Sequence, residues 1–339
     1  MNQKEVSIAV VGATGNVGRA MLQILWEHGY ESSQVQAVAS KKSIGKKISY
    51  GEDAVLDVKS LEDFDFNGVD IALFSAGSPI SEKYVPKAVA TNCVVIDNSS
   101  FFRMSPDIPL VVPEINSQDL SLYDNTNIIA NPNCSTIQLA MALAPFKDYG
   151  IRRVITSTYQ SVSGAGKEAM DELYSQTRGI FMNNAISPEV FEKPIAFNVI
   201  PQIDQFMQDG FTKEEWKMRH EIKKILDPLI ELSATCVRVP VFIGHSVDAY
   251  VELERDFDIK ELEELLNDFP GVEVINDERE ETFITPIECA GEDLVYISRL
   301  RKDPTHPNAF RFWVVSDNIR KGAALNAVQI ANELIKNYF

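Results

Sequence analysis

Short apolar runs alternate with amphipathic stretches through the first third of the chain. The apolar runs lie at residues 6–11, 35–39, 71–74, 94–96, 110–112 and 128–130. Their length and β-branched content predict buried strands, while residues 17–28 carry apolar side chains at helical spacing. Strands that alternate with helices in this way are typical of a parallel sheet covered by helices.

The pattern changes after residue 133. Longer runs with period-two alternation appear as VITSTYQSV, ATCVRVPVF, SVDAYVELE and FRFWVVS. Helices are predicted at 136–146, 166–176, 213–226 and 259–268. This combination predicts an α+β domain with a largely antiparallel sheet.

Two further stretches complete the predicted organisation. Residues 178–209 contain three prolines and no sustained period, which indicates a long excursion over the surface or onto a partner subunit. Residues 320–338 show helical spacing and are predicted to pack back on the first domain. We therefore expect one domain from residues 1–133, completed by a C-terminal helix at 320–339, and a second from residues 134–319.

Composition restricts the class of partner. The chain has 339 residues, 45% of them hydrophobic and 24% charged, which indicates a globular protein of two domains. Its 32 Lys and Arg against 49 Asp and Glu leave a net charge of −17, so a nucleic acid is not an expected partner. No apolar run approaches the roughly 18 residues that span a bilayer, and the start shows no secretory leader. We expect a cytoplasmic protein without membrane association.

The turn after the first strand reads GATGNVG and leads into an amphipathic stretch. Glycines allow a tight turn and a close approach of a pyrophosphate, and the N-terminus of a helix supplies N–H groups and a positive dipole end. The spacing is G-x-x-G-x-x-G, not the common G-x-G-x-x-G, so a turn without ligand is the alternative. The candidate cofactor-binding residues of this turn are Gly12, Thr14, Gly15, Asn16 and Val17.

The second strand lacks the acid that NAD enzymes place on the ribose 2′-OH. It ends in VQAVAS and continues into KKSIGKK, where Ser40, Lys42 and Ser43 offer a cation and hydroxyls. Such a loop suits a 2′-phosphate, so NADP is favoured over NAD. The alternative is a solvated basic loop.

Four cysteines, at 93, 134, 236 and 289, show neither a C-x-x-C pair nor zinc-like spacing, so we expect no redox motif and no metal site. Cys134, in NPNCST, stands at the start of an apolar helical stretch. A helix N-terminus stabilises a thiolate, which is the nucleophilic form of cysteine. Cys134 is therefore a candidate nucleophile, with a small buried residue as the alternative. Cys93 and Cys236 lie in apolar sequence and are predicted to be buried.

Two residues near the second domain's strands can carry chemistry. His245 follows VPVFIG, where Gly244 lets the chain turn and present an imidazole at a sheet edge. The alternative is a hydrogen-bonded structural histidine. Arg238 lies within an apolar strand, where an unpaired cation is costly, so it should face an acid or an anionic substrate.

Two other segments add charged candidates. Asn98 and Arg103 follow the strand VVID, at the carboxyl end of the first sheet, where ligands of such folds bind, and Arg103 is suited to an anion. In KMRHEIKKIL, Glu221 and Lys224 are three residues apart and share a helix face. A surface ion pair is the alternative for that pair.

Together these motifs resemble those of the aspartate-semialdehyde dehydrogenases, in their bacterial dimeric branch. GATGNVG, SSFFRM, NPNCST, QSVSGAG, HEIKKIL, RVPVFIGHS and SDNIRKGAA occur in order over nearly the whole chain. The resemblance implies an α/β fold with a Rossmann-type NADP-binding domain, a catalytic and dimerisation domain, and a homodimer. It also implies reversible NADPH-dependent reduction of aspartyl phosphate to aspartate semialdehyde with release of phosphate, in the synthesis of diaminopimelate, lysine, methionine and threonine.

The resemblance assigns roles to individual residues. It implies that Cys134 forms a thioester, that Gln160 orients the acyl group and that His245 is the acid/base. The substrate contacts that it implies are Arg103 and Lys224 towards phosphate, Arg238 towards the carboxylate and Glu221 towards the amino group. Asn98 is a further candidate substrate-binding residue. The contacts on the nicotinamide side are Ser163, Gly164 and Asn318. Lys42 stands where relatives often carry Arg, which keeps the cation but loses the bidentate fork.

Two alternatives to this activity remain. An N-acetyl-γ-glutamyl-phosphate reductase shares the thiol chemistry but binds an acylated amine, and so has no use for Glu221 as an ammonium partner. A catalytically silent, NADP-sensing paralogue is expected to lack the thiol or the imidazole, and this chain has both.

Overall fold

The computed structural model describes residues 6–276 and 282–339. The predicted absence of a secretory leader concerns the start of the chain, and residues 1–5 of that start lie outside the described residues. The chain divides into two compact units, Met1–Asn133 with Ala323–Phe339, and Cys134–Gly322. The second unit thus includes residues 320–322, which the sequence grouped with the first domain.

The elements are numbered in chain order. The strands are β1 (Ile8–Val11), β2 (Val35–Ala39), β3 (Lys47–Tyr50), β4 (Ala54–Asp57), β5 (Lys59–Ser60), β6 (Ile71–Phe74), β7 (Val94–Asp97), β8 (Ile128–Ala130), β9 (Ile151–Gln160), β10 (Glu231–Arg238), β11 (His245–Leu253), β12 (Val272–Ile275), β13 (Val295–Lys302) and β14 (Ala309–Ser316). The α-helices are α1 (Asn16–Glu27), α2 (Ser78–Val89), α3 (Pro113–Asn116), α4 (Cys134–Leu143), α5 (Lys167–Phe181), α6 (Lys213–Ile225), α7 (Ile259–Asp268), α8 (Pro286–Cys289) and α9 (Leu325–Asn337).

The first unit contains a parallel sheet in the order β5-β2-β1-β6-β7-β8. All four residues of β1 are buried, as expected for a strand covered on both faces. Helix α1 buries Met21, Leu22 and Leu25 in the same apolar cluster that receives Val328 and Leu334 of α9. The parallel sheet and its helical layers confirm the predicted fold class.

Two parts of this unit differ from the sequence-based prediction. Residues 110–112 form no strand, because only Leu110 bridges Ala130 and the side chain of Asn116 takes up the carbonyl of Leu110 and the N–H of Val112. Pro113 then starts α3. The hairpin of β3 and β4 was not predicted, since its short strands include exposed residues and are not continuous buried apolar runs.

The second unit contains a mixed sheet in the order β10-β9-β11-β14-β13-β12. Three neighbouring pairs are antiparallel, and the pairs β10–β9 and β12–β13 are parallel. Helix α4 is buried from Ser135 to Leu143, which explains why it shows no polar face in the sequence. It begins at Cys134, two residues before the predicted start.

The irregular segment of the second unit begins and ends a few residues later than predicted. Helix α5 continues to Phe181, so Arg178 is helical, and no helix or named strand occupies the described residues from 182 to 212. His245 also differs from its prediction, because β11 lies between β9 and β14 and is a central strand. The imidazole therefore stands at the end of a central strand and not at a sheet edge. Within the described ranges, no helix is long and apolar enough to cross a membrane.

We predict that Gly12→Ala destabilises the first unit while Gly15→Ala does not. Gly12 has φ +90°, and a Cβ there would lie 2.2 Å from the carbonyl oxygen of Ser75, whereas a Cβ at Gly15 would meet its nearest neighbour at 3.4 Å. The left-handed backbone and the clash together should cost about 2 kcal/mol or more. Denaturant unfolding of the two variants measures this difference, and equal midpoints would contradict the proposed constraint.

Candidate active site

The glycine turn of the first unit has the geometry of a phosphate-binding turn. The N–H groups of Gly12 and Ala13 bond to the carbonyl of Val38 at 2.9 and 3.1 Å, which holds the turn above the ends of β1 and β2. A Cβ at Gly18 would lie 2.2 Å from the carbonyl oxygen of Gly12, so α1 packs directly against the turn. Gly15 caps α1 without a side-chain hydrogen bond. The turn therefore leaves a helix N-terminus that fits a dinucleotide pyrophosphate.

The basic loop after β2 lies beside two acids. Lys41 and Lys42 are exposed, and the Nζ of Lys41 is 3.5 Å from a carboxylate oxygen of Asp63. The pKa of Glu62 is lowered chiefly by a hydrogen bond from its own main-chain N–H to its carboxylate. The main-chain N–H of Lys41 also donates to this carboxylate and contributes to the same shift. Ser43 is buried. The sequence has no acid at the end of β2, but the fold brings the carboxylates of Glu62 and Asp63 next to this loop.

These two acids reach the loop through strand pairing. Strand β5 pairs in parallel with β2, joining Ala39 to Ser60, and the short 3₁₀ turn Leu61–Asp63 follows directly. The sequence contained no signal for this, because β5 has only two residues. A 2′-phosphate at this loop would therefore meet Lys42 in the neighbourhood of two carboxylates.

Arg103 and Asn98 lie together after β7. The guanidinium of Arg103 is buried and donates to the main-chain carbonyls of Asn131 and Asn98, at 2.9 Å each. The amide of Asn131 in turn donates to the side-chain oxygen of Asn98 at 2.7 Å. Neutral carbonyls hold the cation in place without adding negative charge, which suits a group that binds an anion.

In the second unit, three adjacent strands bring candidate residues to the same end of the sheet. Gln160 is the last residue of β9 and pairs in register with Arg238, the last residue of β10. His245 is the first residue of β11, which runs antiparallel to β9. All three side chains are buried. In the sequence these three residues are separate candidates, and the strand register brings them to one end of the sheet.

The imidazole of His245 has two different surroundings. Its Nδ1 accepts the main-chain N–H of Ser161 at 3.1 Å. Its Nε2 is buried and has no hydrogen-bond partner among the described residues. Burial, followed by the positive charge of Arg238, lowers the pKa of His245 to about 3. Within the described part of the chain, one ring nitrogen is therefore hydrogen-bonded, and the other is not.

Small residues bring further candidates next to these groups. A Cβ at Gly164 would lie 3.1 Å from Nη1 of Arg238 and 3.2 Å from Nε2 of His245. A Cβ at Gly322 would lie 3.0 Å from the Cβ of Cys134 and 3.6 Å from that of Asn318. Cys134 and Asn318 therefore approach each other across one glycine, while Arg238 and His245 flank another.

Ser163 and Asn318 form one hydrogen-bonded cluster. The side-chain oxygen of Asn318 accepts from the hydroxyls of Ser161 and Ser163 and from the N–H of Gly244, at 3.1, 3.2 and 2.9 Å. Its amide nitrogen donates to Ser163 at 3.0 Å. These contacts tie the predicted nicotinamide-side residues to the surroundings of His245.

Helix α6 carries a repeated pair of charges on one face. Glu221 is buried and Lys224 half-buried, so the interpretation of an exposed surface pair is wrong. Burial lowers the pKa of Lys224, and the charge of Glu221 opposes that shift. Two turns earlier, Glu214 and Lys217 form an ion pair of 3.1 Å. Both pairs are spaced three residues apart, and Glu214 lies seven residues before Glu221.

Glu214 is a site residue that the sequence reasoning missed. Its carboxylate accepts from the amide of Gln160 at 3.3 Å, and its negative charge opposes the burial that lowers the pKa of Arg238. The same amide of Gln160 donates to the hydroxyl of Thr158 at 3.3 Å. The repeat of the Glu–Lys pair along α6 was a usable signal, because it places Glu214 on the face of Glu221. Glu214 also provides the acid that Arg238 was expected to face.

Comparisons with known proteins agree with this architecture. Residues 7–123 match the family described as "Semialdehyde dehydrogenase, NAD binding domain", and residues 143–321 match "Semialdehyde dehydrogenase, dimerisation domain". An "Aspartate-semialdehyde dehydrogenase" of Rickettsia bellii is 52% identical over 99% of both chains. The chain belongs to the aspartate-semialdehyde dehydrogenase family.

Other members of the family share the whole length of this chain. The enzyme of Bacillus subtilis is 46% identical over 97% of each chain. A crystal structure of aspartate semialdehyde dehydrogenase II from Vibrio cholerae, complexed with ASA, has a TM-score of 0.96 and 45% identity, with 99% of this chain and 100% of that chain covered. The family assignment thus rests on both units.

The four thiols should differ sharply in reactivity. Cys134 is partly exposed, whereas burial raises the pKa of Cys93 and of Cys289 to about 12 and also raises that of Cys236. Because the thiolate is the reactive form, one equivalent of iodoacetamide should alkylate Cys134 first. Peptide mapping by mass spectrometry checks the order. Modification of a buried thiol before Cys134 would contradict it.

Proposed function

We propose that this chain catalyses the reversible, NADPH-dependent conversion of L-aspartyl 4-phosphate to L-aspartate 4-semialdehyde and phosphate. One observation supports this most directly. A partly exposed thiol at the start of α4 shares its unit with a buried guanidinium and with an imidazole whose Nε2 has no partner among the described residues. These are the groups needed for transfer of the acyl group of an amino-acid substrate through a thiol.

Cys134 supplies the nucleophile in this proposal. In the oxidative direction its sulfur attacks the aldehyde carbon: a C–S bond forms, the C=O π bond breaks, and the proton lost by the Cys134 thiol ends on the former carbonyl oxygen, which becomes a hydroxyl. The N-terminus of α4 stabilises the thiolate before attack and receives it again when the acyl group leaves. The residues of the glycine turn would hold NADP, which would supply the hydride acceptor needed to convert the adduct on the sulfur of Cys134 to a thioester. Phosphate attacks that thioester and releases the acyl phosphate.

His245 is assigned the proton transfer of this reaction. The hydroxyl formed on the attacked carbon must lose its proton as the thioester forms, and in the reductive direction the same oxygen must gain one. The Nε2 of His245 is the ring nitrogen without a partner among the described residues, and it lies beside Gly164. Gln160, held by Thr158 and Glu214, is assigned the orientation of the acyl group.

Arg238 and Glu221 are assigned the amino-acid head of the substrate. Both are buried, so a bound carboxylate or ammonium group would interact with them in a medium that weakens charges less than water does. Lys224 and Arg103 are assigned the phosphate, and Asn98 is assigned to the substrate site with them. In a chain of net charge −17, local cations must supply the attraction for phosphate.

NADP is the proposed cofactor of the first unit. Gly12, Thr14, Gly15, Asn16 and Val17 are assigned to the pyrophosphate side, and Ser163, Gly164 and Asn318 to the nicotinamide side. Ser40, Lys42 and Ser43 are assigned to the 2′-phosphate. Support for these assignments comes from the unfilled cap of α1 and from the exposed Lys42, which has no ion pair within the described ranges.

A homodimer is the proposed assembly. The outward face of β9 presents Ile155 and Tyr159, with Tyr159 against Trp313 at a ring distance of 5.4 Å. Phe181 and Phe197 are 78% and 66% exposed and contact each other edge to face. Exposed aromatic and aliphatic residues of this kind are typical of protein interfaces. A cytoplasmic location remains a prediction from the sequence.

A single assay tests the proposed activity. Purified protein is incubated with aspartate semialdehyde, phosphate and NADP, and NADPH formation is followed by absorbance. Turnover should depend on phosphate and should disappear in Cys134→Ala, while NADP binding measured by fluorescence persists in that variant. Turnover in Cys134→Ala at the wild-type rate would overturn the covalent route.

We expect Glu221→Gln to impair selection of the free amino group. Loss of one charge-assisted contact costs roughly 1.5–3 kcal/mol, so kcat/KM for aspartate semialdehyde should fall about ten- to a hundredfold. Glu231→Gln, an exposed position at the start of β10, is the matched control and should be neutral. Steady-state kinetics with the free and the N-acetylated substrate measure the effect. Equal use of both substrates by the wild type would favour the N-acetyl-γ-glutamyl-phosphate reductase.

Lys42→Ala should weaken NADP binding without slowing chemistry. An exposed contact of this kind is worth up to about 1 kcal/mol, so KM for NADP should rise about fivefold while kcat and the use of NAD change little. Lys41→Ala should do less, because Lys41 already pairs with Asp63. Steady-state kinetics of both variants with NADP and with NAD measure these effects on KM and kcat. Equal effects of the two substitutions, or equal use of NAD and NADP by the wild type, would show that this loop does not bind the 2′-phosphate.

A further inference from the structure

The resting protonation of His245 follows from its hydrogen bonds. The main-chain N–H of Ser161 points at Nδ1 at 3.1 Å, and an amide N–H can only donate. Nδ1 therefore carries a lone pair, and the proton of the neutral ring is on Nε2. Nε2 is the atom that faces Gly164 and lacks a partner among the described residues.

That resting ring is in the wrong form for the proposed reaction. A base that takes a proton at Nε2 must hold its own proton on Nδ1, and an acid that gives a proton from Nε2 is left with Nδ1–H. Both catalytic forms therefore need a hydrogen-bond acceptor at Nδ1. The N–H of Ser161 cannot provide one.

The hydroxyl of Ser161 is placed to provide it. Its Oγ lies 3.1 Å from Nδ1 of His245 and donates to the side-chain oxygen of Asn318 at 3.1 Å. Asn318 is oriented by the hydroxyl of Ser163 and the N–H of Gly244, which both donate to the same oxygen. The Oγ of Ser161 also lies 3.0 Å from the Oγ of Ser163. When the hydroxyl proton of Ser161 is directed to Asn318, a lone pair of its Oγ is left for Nδ1–H.

We propose that Ser161 is a positioning residue that selects the protonation form of His245. Its N–H holds the resting ring with the proton on Nε2, and its hydroxyl, oriented by Asn318, accepts Nδ1–H in the catalytic forms. This proposal rests on the proposed function, because the catalytic forms are those of a proton transfer to the substrate oxygen.

The proton balance of the step is simple. In the reductive direction the doubly protonated ring breaks its Nε2–H bond, an O–H bond forms on the substrate, and the ring remains neutral with Nδ1–H bonded to Ser161. In the oxidative direction the same bonds form and break in reverse. Solvent supplies or removes the proton that converts the resting ring.

The charged groups around the ring set the direction of the pH effect. Among the described residues, Arg238 lowers the pKa of His245, while Glu214 and a hydrogen bond to the backbone of Gly244 raise it, all after the larger effect of burial. Ser161→Ala leaves both charges in place and removes only the acceptor for Nδ1–H. The protonated ring loses stability, so its pKa should move further down. The alkaline limb of the reductive kcat should then shift to lower pH.

The test compares Ser161→Ala, Ser161→Thr and a matched control, Ser246→Ala. Ser246 is buried and follows His245 on β11, where alternation directs its side chain to the opposite face. With Ser161→Ala we expect kcat at neutral pH to fall about tenfold, KM for the substrate to stay within about twofold, and the alkaline limb to move down. Ser161→Thr, which keeps the hydroxyl, should restore the wild-type limb. Ser246→Ala should keep it as well.

A spectroscopic readout separates this proposal from the activity itself. The chain has four histidines, so ¹⁵N-histidine labelling with assignment by single substitutions resolves the ring nitrogens of His245. The wild type at neutral pH should show a protonated Nε2 and an unprotonated Nδ1. A neutral ring with Nδ1–H, or an unchanged pH profile in Ser161→Ala, would overturn the proposal. An inactive wild type with the expected ¹⁵N spectrum would instead overturn the proposed function.

Discussion

The register of β9 against its two neighbours is the constraint on which the candidate site depends. Parallel pairing with β10 sets Gln160 beside Arg238, and antiparallel pairing with β11 brings the turn after Gln160 to His245. A slip of one residue would send Gln160 to the opposite face, where Ile155 and Tyr159 are exposed. The burial of Val154, Thr156 and Thr158 on the inner face opposes such a slip.

Burial then determines the chemistry of the groups that this register gathers. Arg238, Glu214 and His245 are all removed from water. Burial lowers the pKa values of Arg238 and His245, and the charge of Glu214 opposes both shifts. Glu214 holds Gln160 with one carboxylate oxygen and Lys217 with the other, and so links the sheet to helix α6. The site is a network of buried polar groups, which is well defined only while each partner is present.

The first unit solves a different problem with backbone geometry. Its glycines let α1 begin directly against the end of β1, and the N-terminus of this helix, which is suited to an anion, has no side-chain cap hydrogen bond at Gly15. This matters in a strongly acidic chain, where the overall field repels anions. The loop after β2 shows the same tension, since Lys41 and Lys42 stand next to Glu62 and Asp63.

The sequence by itself determined the fold class, the glycine turn, the helix that begins near Cys134 and most of the residues in the site. Each of these is a local signal, carried by period, by turn chemistry or by a residue type out of place, such as Arg238 in an apolar strand. Only the tertiary structure decided which residues become neighbours. The acids beside the basic loop depend on the pairing of β5 with β2, and the Ser161–Asn318 contact joins residues that are 157 positions apart. Hydrogen bonds and ion pairs of this kind form between groups that the folded backbone brings within about 3 Å, and no local pattern encodes that distance.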